Sequence, residues 1–157
     1  MTPDLSLSVQ YGVEEPRLPR WRLRRWAERA LAAAAEDGLV DFSAAELSLR
    51  LVGAAEGRRL NRDFRQRDYA TNVLTFEYGV DPLGVARGDI VMCVPVLVRE
   101  AREQRKALLD HAAHLTLHGV LHSLGYDHIK ARDARRMEAL ETATLARMGI
   151  ADPYTEA

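Results

Sequence analysis

The chain has 157 residues, of which 47% are hydrophobic and 29% charged, and its formal net charge is -1. These values predict a single soluble globular domain over residues 1–157 and argue against a chain that binds nucleic acid through net charge alone. No apolar run is long enough for a membrane helix, and the first residues do not form a secretory signal. The single cysteine, Cys93, excludes an internal disulfide and is typical of a reducing cytoplasm.

The first two thirds of the chain alternate between predicted strands and helices. Apolar and polar residues alternate in "LSLSVQYG" and "ELSLRLVG", which is typical of half-buried strands, whereas "PRWRLRRWAERALAAAAE" has one apolar side and predicts a helix. Two further strands flank a loop that contains glycine, proline and aspartate. The predicted strands are residues 5–12, 46–52, 72–78 and 88–95, and the predicted helices are residues 19–36 and 54–64.

After Pro95 the pattern becomes helical. Three helices are predicted, over residues 96–104, 107–125 and 131–149, with Gly125 and Gly149 as natural ends. Mixed strands and helices, with the helices gathered at the end, predict an α+β fold with a mixed sheet of about four strands. The expected metal site lies on these C-terminal helices.

All five histidines lie between His111 and His128. Four of them, at positions 111, 114, 118 and 122, are spaced to fall on one face of a helix. The stretch "HGVLHSLGYDH", residues 118–128, has the histidine and glycine spacing of zinc peptidases of the H-E-x-x-H-x-x-G-x-x-H type. Those enzymes carry a glutamate general base at the second position, where this chain has Gly119.

Helix geometry selects three of the five histidines as metal ligands. Residues four apart are about 6 Å apart along the helix axis and can share an ion, whereas residues eight apart are separated by about 12 Å and cannot. His118 and His122 are therefore the helical pair, and His128 returns to them after the helix ends at Gly125. His111 and His114 are left with packing, groove or ligand-supporting roles.

Three histidines leave a fourth coordination position open for water or substrate, which is typical of a catalytic zinc site. One zinc ion is the expected cofactor, although imidazole also suits nickel and iron. Without the peptidase glutamate, the site favours substrates whose transition state is polyanionic, and phosphodiesters are the obvious class. Gly119 would let another backbone or a bulky substrate approach the helix. Three roles are open to Asp127: a weak base, a carboxylate that supports a ligand, or a turn cap.

The arginines form two clusters, six between Arg17 and Arg29 and five between Arg58 and Arg67. A locally basic face on a nearly neutral protein is compatible with phosphate binding. A solvated helix face is the commoner explanation of any single cluster.

Several stretches together resemble the YbeY family, bacterial single-domain metalloproteins described as endoribonucleases of ribosomal RNA maturation. They are "HGVLHSLGYDH", "LNRDFRQRDYATNVLTF", "GDIVMC" and "MGIADPY", and the likeness runs from about Leu47 to Tyr154. The resemblance places the family's zinc histidines on His118, His122 and His128 and its functional arginine on Arg65. The chain departs from the family pattern where Asn72 replaces a frequent aspartate and "TFEY" replaces the commoner S-F-P.

The resemblance implies a metal-dependent, single-strand-specific endoribonuclease that acts in ribosomal RNA processing and ribosome quality control. Its expected partners are single-stranded RNA, small-subunit ribosomal RNA and the ribosome. Attack by water and attack by the RNA 2′-hydroxyl are both open. The alternatives are a non-catalytic ribosome-assembly factor with a structural metal and, further away, a zinc peptidase or amidase without the usual glutamate.

Overall fold

The computed structural model describes residues 2–155 of the chain. Within these residues it forms four strands and five helices. The strands are β1 (Asp4–Tyr11), β2 (Ala44–Val52), β3 (Val73–Val80) and β4 (Val85–Cys93). The helices are α1 (Arg20–Asp37), α2 (Ala54–Arg65), α3 (Val94–Glu103), α4 (Leu108–Ser123) and α5 (Ala131–Arg147).

The strands form one mixed sheet in the order β1-β2-β4-β3. β1 and β4 both pair with β2 in parallel, and β3 pairs with β4 in the antiparallel direction. A parallel pair needs a crossover connection, which α1 provides between β1 and β2, and which α2 and β3 provide between β2 and β4. The prediction of a single α+β domain with a four-stranded mixed sheet is confirmed.

Helix α4 is the centre of the fold. It packs between the sheet and helices α1, α3 and α5, and it is buried on almost every side. A helix that is apolar around most of its circumference belongs in a core, which fits its sequence "LLDHAAHLTLHGVLHS". Buried β2 and β4 side chains, such as Leu49 and Ile90, face the same core as Leu117 and Leu121. The histidines of α4 are therefore held on a rigid element.

The β3–β4 connection is tighter than the sequence predicts. The expected loop after Tyr78 is mostly strand, because β3 runs to Val80 and β4 begins at Val85. The turn between them is closed by Asp81, whose carboxylate accepts the backbone N–H groups of Leu83 at 2.8 Å and Val85 at 3.1 Å. Gly84 completes the turn at a φ of 84°. At the other end, β4 stops at Cys93 rather than Pro95, because that proline lies in the first turn of α3.

Across residues 2–155, none of the helices combines the length and apolarity that crossing a membrane would require.

Candidate metal centre

The structure brings His118, His122 and His128 together. His118 and His122 lie one turn apart on α4, with ring centroids 4.8 Å apart. Gly125 turns the chain back at a φ of 106°, a conformation that side chains disfavour. The ring of His128 then lies 5.4 Å from that of His118 and 4.6 Å from that of His122. One ring nitrogen from each residue lies within 4.8 Å of the other two.

His122 provides a nitrogen lone pair at neutral pH. Burial, together with the neighbouring rings of His118 and His128, lowers the pKa of His122 to about 4. A neutral imidazole is the form that binds a metal. His122 Nε2 and His128 Nδ1 are 2.7 Å apart, so both atoms point at the same small volume. Three convergent imidazole nitrogens fit a divalent ion that prefers nitrogen ligands.

A buried carboxylate on α5 fixes the orientation of His118. Glu141 has no solvent-exposed surface, and its Oε2 lies 3.2 Å from His118 Nδ1. Because a carboxylate only accepts, Nδ1 carries the hydrogen and Nε2 keeps a free lone pair. The other oxygen, Oε1, accepts from His114 Nε2 at 2.7 Å and from the Tyr154 hydroxyl at 2.8 Å. Burial alone would raise the pKa of Glu141, but the hydrogen bonds from His114 and His118 bring it well below its ordinary value.

His111 belongs to a separate hydrogen-bonded group. Its Nε2 lies 2.9 Å from Glu100 Oε1 on α3, and Asn72 donates its side-chain amide to the same carboxylate at 3.1 Å. Asn72 also accepts the backbone N–H of Val73 at 2.6 Å, which fixes the start of β3. His111 and His114 are both buried, and each is hydrogen-bonded to a carboxylate: His111 to Glu100, and His114 to the same Glu141 that binds His118.

The loop that carries His128 is anchored to α1. Tyr126 is buried, and its hydroxyl donates to Asp37 at the end of that helix. Asp127 accepts the backbone N–H groups of His128 at 2.6 Å and Ile129 at 3.0 Å through Oδ1. These bonds hold the pKa of Asp127 below its ordinary value, the bond from Ile129 contributing most. Of the three roles open to Asp127 in the sequence, the structure shows the turn cap.

The three histidines open onto a cleft of about 600 Å³. The cleft lies between β3, the end of α2 and the α4–α5 loop. Arg65, the last residue of α2, lines it, whereas the other members of the second arginine cluster do not. Two of those are paired elsewhere, Arg58 with Asp68 at 2.7 Å and Arg62 with Asp63 at 3.3 Å. The complete lining is Arg65, Thr71, Asn72, Val73, Thr75, Glu77, His118, His122, Gly125, Tyr126, Asp127, His128 and Ile129.

Comparison with known proteins decides the family. A family model described as "Endoribonuclease YbeY" matches residues 9–149. The chain belongs to the YbeY family. It is 79% identical over 152 residues to "Endoribonuclease YbeY" of Bordetella avium, covering 97% of this chain and 94% of that one. It is 51% identical over 157 residues to the protein of that name from an Acidovorax species, covering 96% and 95% of the two chains.

The fold has a counterpart among solved structures. The solution structure of the Thermotoga maritima protein TM1509 aligns with a TM-score of 0.61 over 95% of this chain and 99% of that one. The two sequences are 22% identical, so the likeness concerns the fold alone.

In this YbeY chain, position 119 faces the sheet. A Cβ built on Gly119 would lie 2.9 Å from Cγ2 of Ile90 on β4. The close approach expected at this glycine is therefore made by a core side chain and not by a second backbone or a substrate. A glutamate at this position would have to displace the buried side chain of Ile90 and would point its carboxylate into the core, so this position does not provide a general base facing the cleft.

Two carboxylates of this YbeY site were missed from the sequence. Glu141 follows the spacing of the buried face of α5, between Met137 and Leu145, and a charge at a core position is the signal that could have found it. Glu77 is the glutamate of "TFEY", where the chain departs from the family pattern, and it lines the cleft. Burial and the nearby charge of Asp127 raise the pKa of Glu77 above its ordinary value.

Proposed function

We propose that this chain is a metal-dependent endoribonuclease that cuts single-stranded RNA, with one zinc ion held by His118, His122 and His128. The observation that carries the proposal is the convergence of three imidazole nitrogens on a cleft that also contains Arg65. The family name of its relatives supports RNA as the substrate. Ribosomal RNA maturation, with the small-subunit RNA and the ribosome as partners, is the role that the family resemblance implies.

The residues around the cleft have distinct roles in this proposal. Zinc bound there would supply a Lewis acid for a phosphate oxygen or for water. Arg65 presents a planar fork that can hold two phosphate oxygens and stabilise charge that develops on them. Glu77 would accept the proton of the attacking water or 2′-hydroxyl group as its oxygen bonds to phosphorus and the scissile P–O bond breaks; Asp127, the other cleft carboxylate, already accepts two backbone N–H groups through Oδ1. Thr71 and Thr75 add neutral hydroxyl groups to the wall.

The same geometry disfavours a peptidase. The position where the related zinc peptidases carry their base is closed against Ile90. An arginine in the cleft suits an anionic phosphate better than a neutral peptide bond. The chain therefore shares the histidine arrangement of those peptidases but not their general base.

Metal content and RNA cleavage of two matched variants test the proposal. His122→Ala should lose both the bound ion and the cleavage of a short single-stranded RNA. His114→Ala removes an equally large ring from the same helix face and should keep the ion. Elemental analysis of the purified proteins would identify the metal, and equal metal loss in the two variants would refute this choice of ligands.

A further inference from the structure

A second pocket, of about 380 Å³, lies beside the start of α4, whereas the cleft lies near the end of that helix. It is formed by the start of α1, the start of α4 and the end of α5, and it shares no lining residue with the cleft. Its floor and walls include two indoles, three guanidinium groups and one carboxylate. We define this α1 pocket by Trp21, Arg22, Arg25, Trp26, Arg29 and Asp110.

The arginines near α1 divide into two groups. Those outside the pocket are occupied: Arg17 pairs with Glu15, Arg20 donates to the carbonyl of Val9, and Arg24 donates to the carbonyl of Leu5. For the three that line the pocket, the structure of residues 2–155 shows neither an ion pair nor a side-chain hydrogen bond. Nε of Arg22 is buried and lacks any partner there. The pocket therefore gathers the cationic donors that the fold leaves unused.

This placement of charge does not favour the helix itself. Positions 22, 25 and 29 are spaced three and four apart, so like charges share one face of α1 and repel each other. The positive end of the helix dipole lies nearby, and the first turn of α1 has no acidic residue to balance it. A bound anion would relieve both effects at once.

The pocket also offers a flat aromatic surface. Trp21 is 59% exposed, which is unusual for the largest apolar side chain. The guanidinium carbon of Arg22 lies 4.8 Å from the centre of its ring, so a cation already stacks on the indole. Trp26 beneath it is nearly buried, with 6% of its surface exposed, and gives the pocket a rigid floor.

We propose that the α1 pocket is an accessory binding site for single-stranded RNA, with phosphates on Arg22, Arg25 and Arg29 and a base stacked on Trp21. This inference rests on the proposed function, since it takes the same substrate class. Exposed aromatic rings beside unpaired arginines are the combination that binds single strands without regard to sequence. An acidic peptide would use the arginines but would have no flat ring to place on the indole.

The two sites are close enough for one strand to occupy both. Asp110 of the pocket and His122 of the metal centre are twelve residues apart on α4. That separation corresponds to about 18 Å along the helix axis. A stacked strand rises about 3.4 Å per nucleotide, so about five nucleotides match this separation. The α1 pocket would hold the substrate on one side of the cut.

The test measures binding of a fluorescent oligouridylate to the full, metal-loaded chain over a range of salt concentrations. Trp21→Ala should weaken binding about tenfold, whereas Trp21→Phe should keep most of the affinity. Arg25→Ala should lower the slope of log affinity against log salt by about 0.7. Arg24→Ala removes the same charge from the same helix, but from a paired arginine, and should change the slope little. Thermal midpoints confirm that each variant is folded.

Three results would overturn the inference. They are normal affinity in Trp21→Ala, equal slopes in Arg24→Ala and Arg25→Ala, and displacement of the RNA by an oligoglutamate peptide at lower concentration than by unlabelled oligouridylate. Cleavage by the unmodified chain is measured separately. If it cleaves while Trp21→Ala binds normally, the accessory site is wrong and the proposed function stands. If binding depends on Trp21 but the unmodified chain does not cleave RNA, the accessory site stands and the proposed function is wrong.

Discussion

At the scale of single residues, the candidate metal centre depends on side chains that hold other side chains in place. Glu141 touches no solvent and binds the outer nitrogen of His118, while Tyr126 and Asp127 fix the loop that presents His128. A ligand's other nitrogen usually bonds to such a carboxylate, which fixes the ring orientation and the position of its hydrogen. Side chains that are not ligands themselves thus help to fix the geometry of the three histidines.

We expect Glu141→Gln to weaken metal binding by about 10–100-fold. The amide keeps the size of the side chain but loses the charge that holds the Nδ1–H of His118 and orients its ring. Competition titration with a chromophoric zinc chelator measures the affinity without reference to cleavage. Glu138→Gln makes the same chemical change one turn earlier on α5 and should leave the affinity near that of the unmodified chain. Unchanged affinity in Glu141→Gln would remove this carboxylate from the site.

We expect Arg65→Ala to reduce cleavage about 100-fold, equivalent to about 3 kcal/mol of transition-state stabilisation, while RNA affinity changes far less. Arg65→Lys should restore only part of the rate, because a point charge cannot reproduce the bidentate fork. Single-turnover rates and binding constants on one short RNA separate the two effects. Arg62→Ala, on the same helix but paired with Asp63, is the control. A normal rate in Arg65→Ala with normal metal content would remove Arg65 from the mechanism.

The spacing of His118, His122 and His128 contained enough information to bring them together, because a helix and one glycine turn fix their relative positions. Glu141 could not be paired with His118 in this way, since the angle between α4 and α5 is a property of the packed core. Arg65 was selected by family resemblance and not by chemistry. The structure adds an independent reason, since it alone of its cluster lines the cleft.

At the scale of elements, all nine helices and strands found within residues 2–155 were predicted, and the differences lie at their ends. The β3–β4 hairpin is the largest difference. "YGVDPLGVARG" is rich in glycine and turn formers, so it predicts a loop over residues 79–87. β3 is an edge strand, however, with an irregular register between Glu77 and Val80, and such a strand tolerates these residues. Local sequence could not show that pairing with β4 continues through them.

At the same scale, an ion pair in the connection from β1 to α1 predicts how the stability of the fold depends on pH. Glu15 is only 6% exposed and binds Arg17 through both carboxylate oxygens, at 2.6 and 2.9 Å. The side-chain hydrogen bond from Arg17 is the main reason why the pKa of Glu15 lies below its ordinary value of 4.5. A lowered pKa means that the folded state binds the proton less readily than the unfolded state. The pair therefore stabilises the fold above pH 4.5, and this contribution is lost as pH falls further.

We expect Glu15→Gln to lower the free energy of unfolding by about 1 kcal/mol at neutral pH, a modest value because Arg17 is largely exposed. The difference from the unmodified chain should shrink as pH falls below the ordinary pKa of a glutamate. Urea unfolding at a series of pH values measures it. Glu14→Gln, at an exposed neighbouring position, should make no difference at any pH. A gap between Glu15→Gln and the unmodified chain that stays constant with pH would contradict the ion pair.

At the scale of the whole molecule, the charge distribution matters more than the net charge of -1. Arg65 lines the metal cleft, while the unpaired arginines of α1 line a second pocket at the other end of α4. The sequence showed both arginine clusters but not which members are unpaired. The order of the strands in the sheet could not be predicted from the sequence either, because alternation of apolar and polar residues predicts strands but not which strands pair. Pairing of β2 with β4 requires knowing that α2 and β3 form the crossover.

The last prediction concerns removal of the metal from the whole molecule. The core that joins the sheet to α1, α4 and α5 is continuous and is built from apolar side chains. The three histidines lie at its edge, where His128 is exposed. We therefore expect the metal-free protein to keep its far-ultraviolet circular dichroism and a cooperative unfolding transition. Its midpoint should fall by about 5–10 °C, as linkage predicts for loss of a ligand present at about 100 times its dissociation constant.

Cleavage of RNA should be lost under the same conditions and should return when zinc is added. A non-catalytic assembly factor with a structural metal predicts a different result. In that case the metal would hold α4 and the loop leading to α5 together. Its removal would abolish much of the helical signal, as happens in domains that fold only around their ion. Retained helicity with abolished cleavage supports the nuclease. The assembly factor would be supported by two results together: the helical signal collapses on chelation, and the metal-loaded chain cuts no RNA. The open side of the metal site would then serve no reaction.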